Sequence, residues 1–499
     1  MTVLLGIDIG TSSIKSMIMD PLGSVLGFSQ VEYNIEIPHT GYAEQHPYVW
    51  WDLVCRTIEE AMKQANVSGN NIAGVGLSGQ MHGLVALDKD ANVLHPAIIW
   101  CDQRSIRQKE WLETQFSQEQ LGRLIQNSVA TGFQLSSLQW LKEHKMDIYN
   151  KISKVISPKD YIRFRLTGVI EGDSTDASGT SFYHVAAKHW SEQLLAQIGI
   201  DISLFPAIGE PWEVSGEVNA KASLETKLKK GTPVAYGGGD QAMQAIGNGI
   251  IHPGLVSCTL GTGGQLLTPL TKPIYDPKLR THTFVHAVPD RWYLMGASMS
   301  AGLSLKWLAT KILKKQDYHE LDEMASKVNP GSDGILFLPY LAGDRTPHMD
   351  PSAKAMFFGL TLQHQDAHLI RAVLEGVAFS LRDSLEIFKE LGVETKKLIL
   401  SGGGAKSKLW NQIITDILGQ DAYSSMMQEQ ACVGAALVAG VAANIYESVE
   451  HACTKVVKIC ETPITPNDQN KDIYSHYYAL YRKLYEHNKD LFPGANYQD

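Results

Sequence analysis

The amino-acid sequence predicts an α/β protein made of two similar domains that face a common cleft. Along the first third, short β-branched runs alternate with amphipathic helical stretches, and from about Asp290 the helical stretches lengthen. Such alternation is the pattern of a mixed sheet covered by helices. A second observation divides the chain. Leu5-Gly6-Ile7-Asp8-Ile9-Gly10-Thr11-Ser12-Ser13 is echoed in form by Ser257-Cys258-Thr259-Leu260-Gly261-Thr262-Gly263-Gly264. Each is an apolar strand, a tip of Gly, Thr and small residues, then a further strand-like run, so each half opens on a hairpin of the same design. With 499 residues, the chain also exceeds what one core usually serves.

In chain order, the strand-like runs are Val3 to Asp8, Ile14 to Met19, Ile72 to Leu77 and Leu84 to Leu87, with a helical stretch from Trp50 to Gln64. A run rich in Gly, Pro and Thr, from Lys230 through Gly254, separates the halves, which divides the chain into domains at 1–246 and 247–499. The second half offers a strand at Gln265 to Leu270, helices at Ala301 to Leu313 and Ala367 to Leu391, and a short strand at Leu398 to Leu400. The tail from Tyr474 to Leu484, rich in Tyr and Leu, reads as a terminal helix that docks on the body or meets another subunit.

Composition excludes several classes. The chain is 44% hydrophobic and 19% charged with a formal net charge of −9, and no stretch gathers Lys and Arg into a stripe, so nucleic acid is not expected as a partner. No window approaches the roughly 18 consecutive apolar residues of a membrane span. Six cysteines without a CxxC pair fit buried thiols in a reducing compartment. The apolar run at Met1 to Gly6 has no basic segment before it and reads as a strand, which makes a cytoplasmic location the expectation. An acidic protein that handles phosphates must hold them locally, with backbone N–H groups or a metal.

The motifs meet that requirement. Gly10-Thr11-Ser12-Ser13 offers backbone N–H groups and hydroxyls without bulk, an anion-binding nest by chemistry, and Asp8 at the end of the first strand is placed to hold magnesium beside it. A plain hairpin turn explains one such tip, whereas two in matched positions favour phosphate binding. Gly74-Val75-Gly76-Leu77-Ser78-Gly79 satisfies GxGxxG but is followed by a strand, Leu84 to Leu87, so the dinucleotide reading fails. No GxxxxGK[ST] occurs. Gln80-Met81-His82 projects from a loop, and Trp100-Cys101-Asp102-Gln103-Arg104 supplies groups that can hydrogen-bond a polyol. Gly237-Gly238-Gly239 allow a sharp turn and present Asp240 and Gln241, a carboxylate suited to take a proton from a hydroxyl; its alternative is a helix N-cap. Ser401-Gly402-Gly403-Gly404-Ala405-Lys406 is a glycine platform on which an adenine ring could lie, or a tight strand-to-helix turn.

Together these segments resemble the FGGY family of carbohydrate kinases, within the actin-like (ribonuclease H-like) ATPase superfamily. The likeness spans essentially the whole chain, through GIDIGTSSIK from Gly6, EQHPYVWW from Glu44, GLSGQMHG from Gly76, PKDYIRFRLTG from Pro158, DASGT from Asp176, GGGDQA from Gly237, LGTGG from Leu260, YLAGDRTPH from Tyr340, FFGL from Phe357, RAVLEG from Arg371 and SGGGAKS from Ser401. The resemblance implies two actin-like domains flanking a deep catalytic cleft, with ATP and Mg2+ as cofactors and a sugar as phosphoryl acceptor. It implies that Asp240 is the catalytic base and that Asp8 and Asp240 place the metal. Gly10, Thr11, Ser12, Ser13, Lys15, Gly261, Thr262 and Gly263 would serve the phosphates, and Gly403, Gly404, Ala405 and Asn411 the adenosine. Gln80, Met81, His82, Asp102, Asp240 and Gln241 would meet the sugar. Gln80-Met81-His82-Gly83 and the Trp100 to Arg104 segment look most like members that phosphorylate D-xylulose. Gln241 in place of the Asn common in those members, and the altered Gly132 to Trp140 segment, keep ribulose, gluconate and glycerol open as acceptors. The family also implies a homodimer. A non-catalytic actin-like nucleotide switch is disfavoured by the coexistence of Asp240 with Gln80-Met81-His82.

Overall fold

The fold is described over residues 1–495 of a computed structural model. Its N-terminal half opens with β1 (Val3–Ile9), β2 (Ser13–Met19) and β3 (Val25–Glu32), then α1 (Pro47–Gln64) and β4 (Ile72–Gly79). Further along come α2 (Pro158–Thr167), β5 (Val214–Glu217), β6 (Pro233–Ala235), β7 (Gly238–Gly239) and α3 (Asp240–Gly247). Both α1 and α2 start with Pro in the first turn, where its missing N–H removes nothing the helix would use. The strands form one sheet in the order β5-β6-β4-β1-β2-β3, with β7 also beside β4. Every residue of β1 is buried, as its run of Val, Leu and Ile requires of a strand covered on both faces.

The second half builds a matching sheet from β8 (Gly254–Leu260), β9 (Gly264–Leu270), β10 (His282–Val285), β11 (Trp292–Ser298), β12 (Thr395–Ser401) and β13 (Ala422–Ser424). Its order is β10-β11-β9-β8-β12-β13. In both sheets the first hairpin is antiparallel and its first strand pairs parallel with a later strand, β4 or β12. The echo in the sequence is therefore an echo in topology. Its helices include α4 (Asp366–Glu390), α5 (Lys408–Leu418), α6 (Gln430–Ala442) and α7 (Lys471–Asn488). Among the described residues, no helix is long and apolar enough to cross a membrane.

The alanine-rich α6 returns to the first sheet. A Cβ added to Gly6 on β1 would lie 2.1 Å from the Cys432 carbonyl oxygen, and one on Gly76 of β4 1.9 Å from that of Ala435, so glycine is what lets helix and strands meet. One buried cluster, containing Met17, Met243, Ala436, Leu267 and Tyr293, draws on both sheets and both central helices. The sheets are thereby joined through α3 and α6.

The stretch Lys230 to Gly254, between the two sheets, folds into β6, β7 and α3, and a Cβ at Gly237, Gly238, Gly239 or Gly247 would collide with its neighbours. One expectation needs correction. The helix expected from Ala301 to Leu313 is α-helical only over Gly302–Trp307 and widens into a π-turn at Leu308–Leu313. The terminal helix docks on the body, burying Tyr474, Tyr478, Tyr481 and Tyr485 along one face.

Candidate active site

The second hairpin tip lines the cleft with Gly261 and Thr262, whereas the first hairpin reaches it through Asp8 and Lys15 on the strands flanking its tip. In each tip, the first glycine closes the turn: the Gly10 amide donates to the Ser13 carbonyl at 3.0 Å, and the Gly261 amide to that of Gly263 at 3.0 Å. Beneath the first tip Asp8 is buried, and Ser78 Oγ donates to its Oδ1 at 2.8 Å. Burial raises the pKa of Asp8, opposed by Lys15 and the Ser78 hydrogen bond. Lys15, opposite Asp8 across the hairpin, pairs with Glu429 at 2.6 Å, just ahead of α6. The second tip is anchored by the short helix after β11: the Ala301 and Leu303 amides donate to the Thr262 carbonyl, both at 3.0 Å.

Asp240 is the first residue of α3, with Gly239 at the N-cap and no side-chain cap bond, so the capping alternative does not describe it. The three glycines before it are required by their neighbours. Gly237 has φ +69 with its Cβ position 2.2 Å from the Leu77 carbonyl oxygen, and a Cβ on Gly239 would meet Met81 at 2.7 Å. The Gly239 amide donates to Thr175 Oγ1 at 2.9 Å. The Asp240 carboxyl opens onto the cleft yet lies deep among protein atoms. That burial, together with the negative charge of Asp8, pushes its pKa up to about 7, against hydrogen bonding from Gln241.

A cavity of about 580 Å³ runs along this face, lined by Asp8, Lys15, Asp240, Gln241, Gly261 and Glu429. The N-termini of α3 and α6 both open on it, where backbone N–H groups favour an anion. A second cavity of about 630 Å³ adjoins it, with Thr262, Leu303, Leu305, Tyr318, Gly404 and Trp410 in its walls. Gly261, Gly403 and Lys406 line both. A polar, charged chamber thus leads into an apolar one, the order that a triphosphate followed by a purine requires. Ala405 lines the polar chamber, whereas Asn411 sits behind the glycine platform and donates to the Ala405 carbonyl at 2.8 Å.

On the other side of Asp240 lies the loop after β4. Gln80 and Met81 are buried, and His82 adopts φ 72, a left-handed conformation uncommon outside glycine. Its ring stacks on Phe133 at 3.8 Å, and its Nδ1 lies 2.7 Å from the Gly179 carbonyl oxygen. Burial holds His82 neutral. Gln80 belongs to a network: its Nε2 donates to Gln45 Oε1 at 2.8 Å, and Thr11 Oγ1 donates to its Oε1 at 3.3 Å. Trp100 Nε1 donates to Thr11 Oγ1 at 2.8 Å. Thr11 therefore turns its hydroxyl toward the Gln80 loop, leaving Ser12 exposed at the tip and Ser13 buried.

Asp102 is placed differently from the expectation. It is fully buried, and both oxygens are engaged within the protein, Oδ2 by the Ala43 amide at 2.6 Å and both by Arg104 Nε at 2.9–3.0 Å. It holds Arg104 rather than facing an open side. Gln134, in the segment that departs from the family pattern, braces the loop from behind, donating to the Gly83 carbonyl at 2.9 Å.

The sequence reading missed the support behind Asp240. Lys159 and Asp173 are fully buried, and Lys159 Nζ lies 2.5 Å from Asp160, 2.6 Å from Asp173 and 3.4 Å from Asp176. The three carboxylates have the spacing of a metal site, but the ammonium group takes the cation's place. Asp173 caps the short helix Ser174–Ser178 and accepts from Thr175, the residue that holds Gly239. A lysine beside aspartates in PKDYIRFRLTG and DASGT was visible in the sequence, but nothing there brings the two motifs together.

Residues 3–247 match the N-terminal domain, and residues 256–443 the C-terminal domain, of the FGGY family of carbohydrate kinases. The chain belongs to that family. Among its relatives is a xylulose kinase of Bacillus subtilis (strain 168), 34% identical over 98% of this chain and 98% of the relative. Another, from Escherichia coli (strain K12), is 33% identical over 97% and 98%. The crystal structure of a xylulose kinase from Rhodospirillum rubrum superposes with a TM-score of 0.90 at 28% identity, covering 98% of this chain and 99% of that one. The family relationship accounts for the duplicated sheets and for the cleft between them.

Proposed function

We propose that this FGGY kinase transfers the γ-phosphoryl group of ATP to the C5 hydroxyl of D-xylulose. One observation carries the reading: Asp240 lines the polar cavity while the glycine before it packs on Met81 of the Gln80-Met81-His82 loop. Asp240 is thus the carboxylate that adjoins both the polar cavity and the Gln80-Met81-His82 loop. Similarity to xylulose kinases, 33–34% identity over nearly the whole chain, supports the choice of sugar. As the hydroxyl oxygen attacks, its proton passes to Asp240, the new O–P bond forms, and the bond from the γ-phosphorus to the bridging oxygen breaks to release ADP. Two neighbouring carboxylates, both raised by burial and with the charge of Asp8 adding to the rise at Asp240, suit a hard cation, and Asp8 and Asp240 would hold magnesium. Such an ion neutralises charge on the phosphoryl oxygens. The Gly261 and Thr262 tip and the α3 and α6 N-termini would receive the phosphates, and the Gly403–Gly404 platform the adenosine.

A coupled ADP-release assay against D-xylulose, L-xylulose, D-ribulose, L-ribulose, gluconate and glycerol tests this, with Asp240→Ala as control. Preference for D-xylulose and a fall in kcat of about 10²- to 10⁴-fold in the variant, with nucleotide binding retained, are the expected results. Preference for another acceptor would move the substrate, and Gln241, which lines the cleft, is the residue to blame. An Asp240→Ala enzyme that kept most of its turnover would remove the base.

We further read the protein as a cytoplasmic homodimer, divided into domains at 246/247. All six cysteines are free, which fits a reducing compartment. Phe358, Leu360 and Leu362 are exposed together on the second half, an apolar stripe that a second copy would cover. Light scattering should give twice the monomer mass, falling to the monomer in Leu360→Glu/Leu362→Glu; a monomeric wild type would end the dimer reading.

A further inference from the structure

The motif YLAGDRTPH carries an arginine to which the reaction described above gives no part. Arg345 belongs to the second half of the chain, and its backbone is held firmly there. The next residue, Thr346, donates its amide to the Ala297 carbonyl at 2.9 Å and its hydroxyl to the Arg280 carbonyl at 2.8 Å. Its Oγ1 also accepts from the Ala297 amide at 3.1 Å, which fixes the loop to the end of β11.

From that anchor the side chain crosses to the other half. The guanidinium carbon lies 5.5 Å from the ring centre of Trp100 and 5.7 Å from that of Phe133. Trp100 is hydrogen-bonded to Thr11, and Phe133 is the ring on which His82 stacks. Arg345 therefore stands over the loop and rings that surround the Gln80-Met81-His82 corner. Among the described residues it forms no ion pair with an Asp or Glu. Its surroundings are instead the thiol of Cys101 and the imidazoles of His82 and His282, both held neutral by burial.

A half-buried guanidinium without a carboxylate is costly to keep. Its planar fork of N–H donors, set over aromatic faces, is suited to a pair of neighbouring oxygen acceptors. Such a pair is supplied in this corner by a small, oxygen-rich molecule with neighbouring oxygens, and similarity to xylulose kinases selects an open-chain ketose.

We propose that Arg345 is a specificity-determining residue: it is the contact that the C-terminal half makes with the sugar, donating to adjacent carbonyl and hydroxyl oxygens of an open-chain ketose above Trp100 and Phe133. This rests on the sugar-kinase reading. It adds that the acceptor site is complete only when both halves of the chain are brought together.

Arg345→Met and Arg345→Lys test it, with steady-state kinetics in both substrates. Removing a charged hydrogen bond should lower kcat/KM for D-xylulose by about 10- to 100-fold in Arg345→Met, while KM for ATP stays within about twofold. Arg345→Lys, which keeps the charge but loses the fork, should recover only part of this and serves where the Met variant folds poorly. Guanidinium ion added to Arg345→Met should restore part of the sugar kcat/KM, which a merely structural role would not allow. Unchanged sugar kinetics in both variants would overturn the proposal, as would equal losses in sugar and ATP parameters without guanidinium rescue. A wild-type enzyme that turned over none of the acceptors would instead overturn the kinase reading, and this proposal with it.

Discussion

The two halves of the molecule repeat one hairpin but fill it with different chemistry. In the first, the register of β1 sets Asp8 opposite Lys15 on β2 and Ser78 on β4. In the second, β8 sets Thr259 opposite Gln265 on β9 and Ser401 on β12. The same hydrogen bond survives in both places: Ser78 Oγ donates to Asp8 at 2.8 Å, and the hydroxyls of Ser401 and Thr259 lie 3.1 Å apart. What differs is charge. The N-terminal copy presents a carboxylate and an ammonium group to the cleft, and the C-terminal copy presents neutral hydroxyl and amide groups. On the proposed function, this difference in charge would divide a duplicated fold into a half that moves the proton and holds the cation and a half that receives the nucleotide.

Exchanging the charge tests that division most directly. Asp8→Asn keeps the shape and the Ser78 partner but removes the carboxylate. We expect kcat to fall by about 10²- to 10³-fold, as for removal of one electrostatic group from a phosphoryl-transfer site. The magnesium concentration required for half-maximal rate should rise. The matched change Thr259→Val should alter kcat by less than about threefold and lower stability by roughly 1 kcal/mol, the net worth of a neutral buried hydrogen bond. Steady-state kinetics over a magnesium titration, with thermal unfolding of both variants, checks the pair. Equal catalytic losses would mean that the two tips are equivalent after all.

Some of this was legible in the sequence. The matched phrases Gly10-Thr11-Ser12 and Gly261-Thr262-Gly263 announced the duplication because a hairpin tip is a local feature, dictated by adjacent residues. Asp240 was legible for the same reason, since three glycines in a row before a carboxylate have a local cause. The internal bonding of Asp102 was not legible because a carboxylate beside Gln103 and Arg104 suits solvent-facing recognition and buried bracing equally well, and the approach of the Ala43 amide comes from a distant segment. The Lys159 support was not legible because two of its partners, Asp173 and Asp176, lie outside its own motif and are brought to it by tertiary packing. Arg345 escaped for the same reason: its ring neighbours come from the other half of the chain.

The C-terminal half has buried acids too, but they face away from the cleft. Asp383 on α4 accepts from the Tyr478 hydroxyl of α7 at 2.7 Å, and its other oxygen is buried without a hydrogen bond. Burial pushes its pKa up to about 7, with Tyr478 and Arg482 acting against the rise. The folded protein therefore holds this proton more tightly than the unfolded chain does. The associated stability is greatest below the ordinary carboxylate range and is lost as pH rises through about 7. Between pH 6 and 8 the loss should be roughly 1 kcal/mol, from the ionisation of this one group. Asp344, nearby and also raised by burial, adds to it in the same direction. In Asp383→Asn the group cannot ionise, so the fall in unfolding temperature from pH 6 to pH 8 should be smaller than in the wild type, while kcat at either pH stays within about twofold. Thermal unfolding at the two pH values checks the first claim and a rate measurement the second. An unchanged fall in the variant would assign the alkaline weakening to other groups, whereas a large loss of turnover would show that charge in the second half reaches the cleft through α4.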